Sequence, residues 1–254
     1  MVMRRLGPSG LLAVLGLTAG LVASPAAARS ISLRDLLGGG PPTEQIQQTE
    51  PPVAVYTFDN GDRFVFDRSV SPPLMRFEAS PEIWVLQPRP GPGGDVIYRN
   101  DLGEPMLRAT RLGGLTLFTV SRPEGTAAAL QGEASPLRPA AILSVLALQQ
   151  RLVQASLRAS RALQRLVVFE APDVTPESAT LIADTGEVSS EAIVDLARRA
   201  DLRRLLDKLE KVVLSPARSP GASFKSGVLE VDFAPGQGLA GRPSSRRIER
   251  VVAR

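Results

Sequence analysis

Neither cysteine nor histidine occurs anywhere in the 254 residues. With no thiol and no imidazole, the chain can form no disulfide and no Ser-His-Asp or Cys-His nucleophilic machinery. It also lacks the usual ligands of zinc, haem or iron–sulfur centres. Lysine is scarce as well: Lys208, Lys211 and Lys225 are the only three among 30 basic residues. Any catalysis would have to use carboxylates, hydroxyls, arginine or one of these lysines, and no cofactor is expected. Aromatic residues make up 4% of the chain, which points to a thin aromatic core, while 22 glycines and 22 prolines point to many turns. What remains is ordinary for a globular domain, 43% hydrophobic and 22% charged.

No apolar run reaches the roughly 20 residues needed to cross a bilayer. The longest, Leu11 to Val22, is broken by Gly16, Thr18 and Gly20. It follows Arg4 and Arg5 and precedes Ala26-Ala27-Ala28, an order that predicts a secretory signal over residues 1–28 with cleavage before Arg29. The rival reading is a retained membrane anchor. After cleavage the expected product is soluble, periplasmic and not transmembrane. It keeps 28 basic and 26 acidic groups, too small an excess to imply a polyanionic partner such as nucleic acid.

Residues 29–52, with Gly38-Gly39-Gly40-Pro41-Pro42 at one end and Pro51-Pro52 at the other, read as a flexible linker. A single domain is expected over 53–233. Its β-rich part, 53–120, shows short runs with β-branched and aromatic residues, broken by turn signals. The runs are Val53 to Phe58, Arg63 to Phe66, Glu82 to Gln87, Asp95 to Arg99, Pro105 to Thr110 and Leu115 to Val120. Asn60-Gly61 between the first two is a strong hairpin signal, because both residues tolerate positive φ. Connections this short predict an antiparallel meander.

From 142 to 213 the period becomes helical. Ser144 can cap a helix with Leu148, Leu152, Ala155, Ala159, Ala162 and Leu166 along one side. Thr175-Pro176-Glu177 predicts a second helix start, with Gly186 as its end, and Ser190 to Val213 reads as a third helix. Val228 to Phe233 is a late strand, and 234–254 reads as a Gly/Pro-rich basic tail. The fold class expected is therefore α+β: an antiparallel β-meander of about six strands, then a helical segment with a late β-strand.

Four motifs bear on chemistry. Gly236-Gln237-Gly238-Leu239-Ala240-Gly241 spells G-x-G-x-x-G, but Pro243 follows at once, where a dinucleotide site needs a helix. Asp59, Asp62, Asp101 and Glu104 lack the ligand alternation of a calcium loop. Ala183-Asp184-Thr185-Gly186 resembles the Asp-Thr-Gly signature of retropepsin-like aspartic proteases, which implies a homodimer with Asp184 as half of a shared-proton dyad. Arg151, Arg158, Arg161 and Arg165 share one helical face, within about 80° of one another, and are candidate anion contacts. The segment from Glu170 to Glu210 holds ten acids and could complement them internally.

Tyr56-Thr57-Phe58-Asp59-Asn60-Gly61-Asp62-Arg63-Phe64, Arg76-Phe77-Glu78, Gly94-Asp95-Val96-Ile97-Tyr98-Arg99-Asn100-Asp101, Arg111-Leu112-Gly113-Gly114 and Leu166-Val167-Val168-Phe169-Glu170-Ala171 together resemble a family of exported Gram-negative bacterial proteins known only as a domain of unknown function. The resemblance implies an exported α+β domain and carries no catalytic residue with it. The function expected is a non-catalytic binding or interaction module of the cell envelope, its partner an envelope protein or an anionic envelope component. The alternative is the aspartic peptidase dimer using Asp184.

Overall fold

A computed structural model describes residues 50–59, 61–138 and 143–254. The expected signal, most of the expected linker, Asn60 of the hairpin turn and the first expected helical position, 142, lie outside these residues.

The β-rich part holds nine strands: β1 (Val53–Phe58), β2 (Asp62–Asp67), β3 (Leu74–Phe77), β4 (Trp84–Val85), β5 (Gln87–Pro90), β6 (Val96–Arg99), β7 (Pro105–Ala109), β8 (Leu115–Leu117) and β9 (Thr126–Glu133). They form one antiparallel sheet in the order β4-β3-β2-β1-β9-β8-β7-β6-β5. β1 and β2 meet at Phe58 and Asp62 across the expected turn, where Gly61 takes a φ of 99°. The two edge strands, β4 and β5, are separated in the chain by Leu86 alone. The ends of the sheet are thus covalently adjacent, and the sheet curls back on itself as a near-barrel, which leaves little open edge. Leu86 is fully buried, with Tyr56, Phe64, Phe66, Met75, Leu107 and Leu117 around it. Most of the chain's few aromatic rings gather here: Tyr56 stacks on Phe64 at 5.4 Å and Phe66 meets Tyr98 edge-on at 4.9 Å.

This corrects the expected six-strand meander. β9 contains Ala127, Ala128 and Ala129, which have little β-propensity; it is a strand because it pairs with β8 over its first half and β1 over its second. β3 is only four residues long and follows Pro72-Pro73. Pro88 and Pro90 are tolerated in β5 because it is an edge strand.

A second, four-stranded sheet runs β10-β11-β13-β12, built from β10 (Val168–Glu170), β11 (Lys211–Pro216), β12 (Gly221–Lys225) and β13 (Val228–Phe233). Its pairs are parallel except β12 with β13. Against it pack α1 (Val145–Leu163), α2 (Ala179–Arg198) and α4 (Ser245–Val252), while the short α3 (Ala200–Arg203) follows α2 and packs on it. Phe169, Val212, Leu214, Leu229, Val231 and Phe233 face these helices. Ser144 caps α1 by accepting from Ala147 N at 3.2 Å. The apolar side of α1 ends at Leu163, and Leu166 is exposed.

Three helical expectations change. Gly186 does not end a helix: α2 runs through it, because Gly186 lies against α1, where a Cβ would stand 3.0 Å from a methyl of Leu152. The helix expected from Ser190 to Val213 is the second half of α2, then α3, then strand β11. The spacing of Leu205, Leu209 and Val212 mimics a helix, yet Val212-Val213 are β-branched and sit between two partner strands. The expected basic tail is folded. Ile248 and Val252, one turn apart on α4, are buried in the core with α2. Ser244 caps that helix by accepting from Arg247 N at 3.1 Å.

Candidate functional site

The Gly-rich segment after β13 brings α4 to the β body. It closes through Ala234 N to Gly241 O at 2.6 Å, and a Cβ on Gly241 would lie 2.3 Å from the Ala234 carbonyl oxygen, so only glycine fits. The G-x-G-x-x-G letters therefore serve a backbone crossing.

Beyond the crossing, Arg242 is buried, with 3% of its side chain exposed. Its Nε donates to Asp184 of α2, its Nη2 to the Ile83 carbonyl at 2.8 Å, and its Nη1 stands 3.5 Å from Glu82 Oε1. Glu82 also accepts from Ser245 N at 3.0 Å and from Ser245 Oγ. Burial pushes the Glu82 carboxyl above its ordinary range, while Arg242 and the two Ser245 donors pull it down. Burial works against the charge of Arg242, but Asp184 and Glu82 outweigh it and hold the guanidinium charged. Around this centre Asp101 accepts from Ser244 N, Ser244 Oγ and Arg247 Nε, and Glu104 from Arg250. Charge thus locks the C-terminal segment to turns of the β body and to α2 at once.

Alongside the lock lies a cleft of about 700 Å³ between the β body and the helices α2 and α4. One wall is apolar, with Phe77, Trp84, Pro105, Met106, Phe118 and Val120; the other carries Asp195, Arg199, Arg246 and Glu249, with Glu104 at the rim. Glu249 stands 3.9 Å from Arg199 and 3.7 Å from Arg246. Burial pushes its carboxyl up to about 7, Arg246 opposing and Asp195 adding to the rise. A volume of this size and mixed character is what small-molecule sites use. Among the described residues no cluster of carboxylates is arranged to hold a metal ion, and no helix is long and apolar enough to cross a membrane.

The residues singled out in the sequence are dispersed. Asp184 lies inside α2, its carboxylate bound to Arg242, and lines a separate recess of about 310 Å³ with Arg151 and Glu187. Arg151 and Arg158 turn toward α2, at 3.8 and 3.9 Å from Glu187, and Arg158 also reaches Glu191. Arg165 donates to the Leu206 carbonyl, and Arg161 is exposed. Of the four turn acids, Asp59 pairs with Arg122, while Asp101 and Glu104 hold the C-terminal segment. Sequence reading missed Glu82, Arg242, Ser245 and Glu249. The one signal available was the alternation of arginines with Ile248 and Val252 at helical spacing.

Fold and cleft together define an α+β protein in which a curled antiparallel sheet is clamped to a small α/β layer beside an amphipathic cleft. The chain belongs to the family described as a domain of unknown function (DUF4908), which it matches over residues 32–252. No curated protein and no solved structure matches it.

Proposed function

We propose that this protein is a non-catalytic binding module of the cell envelope, exported to the periplasm, whose cleft takes a small amphipathic molecule. The observation that carries the binding reading is the pairing of an apolar aromatic wall with a charged wall in one cavity of about 700 Å³. The absence of cysteine and histidine favours binding over nucleophilic or redox chemistry. Export is supported by the order of Arg4-Arg5, the apolar run to Val22 and the alanines before Arg29.

Trp84, the only tryptophan of the chain, lines the cleft and reports directly on its occupancy. Titration of the purified protein with decyl maltoside, kept below micelle formation, should shift the tryptophan emission and saturate. Val120 is mostly solvent-exposed on the cleft wall, so Val120→Asp should fold normally and bind about tenfold more weakly, about 1.4 kcal/mol. An emission spectrum that does not change with any amphiphile would overturn the proposal.

A further inference from the structure

We infer that the cleft selects an amphiphile with an anionic head group, held by the guanidinium groups of Arg199 and Arg246, with its apolar chain against the aromatic wall. This rests on the reading of the cleft as a binding site. It goes further by naming the head group.

Among the described residues, two cleft arginines have no carboxylate close enough to satisfy their donors. Arg199 comes no nearer than 3.9 Å to Glu249, and Arg246 stands 3.7 Å from both Glu104 and Glu249. These separations are beyond hydrogen-bonding range, so both planar forks keep donors for another acceptor. Both side chains line the cleft, 49% and 30% exposed.

The acids beside them have closer partners. Glu104 is bound by Arg250, and Asp195 accepts from Arg198 at 2.9 Å. Glu249 alone is shared between the two cleft arginines. It is faced by Arg246 from its own helix, by Asp195 from α2, by Arg199 at the junction of α2 and α3, and by Glu82 from the β body. With its carboxyl pushed up to about 7, it is only partly ionised near neutral pH. A carboxylate, sulfonate or phosphate offers two or three oxygens to two guanidinium forks. A cationic head would instead meet two arginines that Glu249 neutralises only in part. The apolar wall, with Trp84, Met106 and Phe118, supplies the surface for one chain.

Three amphiphiles of equal chain length separate the possibilities: decanesulfonate, decyl maltoside and decyltrimethylammonium, each titrated below micelle formation against Trp84 emission. Decanesulfonate should bind at least about tenfold tighter than decyl maltoside, and decyltrimethylammonium weakest. The double substitution Arg199→Gln with Arg246→Gln should bring the sulfonate-to-maltoside affinity ratio down to about one. If the double variant does not fold, Arg199→Gln alone, at a half-exposed position, should reduce the ratio severalfold. Equal affinity for all three overturns the head-group inference and leaves the cleft reading standing; silence from all three overturns both. Sedimentation with phosphatidylglycerol vesicles, without any response to decanesulfonate, would place the recognition at a membrane surface and overturn it too.

Discussion

Replacing Arg242 by methionine removes the one positive charge in contact with buried Glu82 among the described residues. Arg242 and Glu82 are respectively 3% and 2% exposed at their side chains, so water cannot take the place of the guanidinium. The substitution also removes the donor to the Ile83 carbonyl and the partner of Asp184. Breaking a buried pair by deleting one member costs about 3–5 kcal/mol, because the other charge stays buried and uncompensated. Against a total stability of about 5–15 kcal/mol for a domain, that is a large fraction. Urea unfolding followed by far-ultraviolet circular dichroism and by the emission of Trp84, two residues from Glu82, measures it. Adding Glu82→Gln should recover about 1–3 kcal/mol, the coupling expected of residues in one network. The pH dependence has a definite sign. A carboxyl whose folded-state value is raised stabilises the fold at low pH, and that contribution is lost as pH rises through the folded value. Burial already raises Glu82, and without Arg242 it rises further, so the deficit of the variant should be smaller near pH 5 than near pH 8. A deficit under about 1 kcal/mol, or one that does not vary with pH, would refute the reasoning.

Two further outcomes are expected. Glu249→Gln should stabilise the protein at about pH 8 by up to about 3 kcal/mol, since a carboxyl moved from its ordinary 4.5 to about 7 loses stability as pH rises through 7; the two proteins should converge near pH 4 in thermal unfolding. Gly241→Ala should destabilise by about 1–3 kcal/mol, as its methyl cannot coexist with the Ala234 carbonyl; an unchanged unfolding midpoint would show that the crossing is not constrained as described.

Legibility in the sequence followed the range of the interaction. The Ser144 cap, the turn between Phe58 and Asp62 and the strand from Val228 to Phe233 depend on neighbours within a few residues, and the structure contains them. β9 and β11 were not legible, because three alanines and a helix-like leucine spacing carry no local strand signal. They are strands because β1, β8, β10 and β13 offer them backbone donors and acceptors. Gly186 was ambiguous for a related reason: a helix-ending glycine and a packing glycine look alike until Leu152 is seen beside it.

By itself the sequence determined which chemistry is closed to this protein, since the absence of cysteine and histidine is independent of fold. It also determined where the period changes from strand to helix, because side-chain periodicity is a property of the local backbone. Only tertiary structure decided that the sheet closes through Leu86, that Arg242 meets Glu82 across 160 residues, and that Glu249 faces the cleft between Arg199 and Arg246. Charge pairs at such separation have no period and no fixed spacing. Their partners are chosen by the packing of a curled sheet against a helical layer, and that packing exists only once the apolar cores of both have formed.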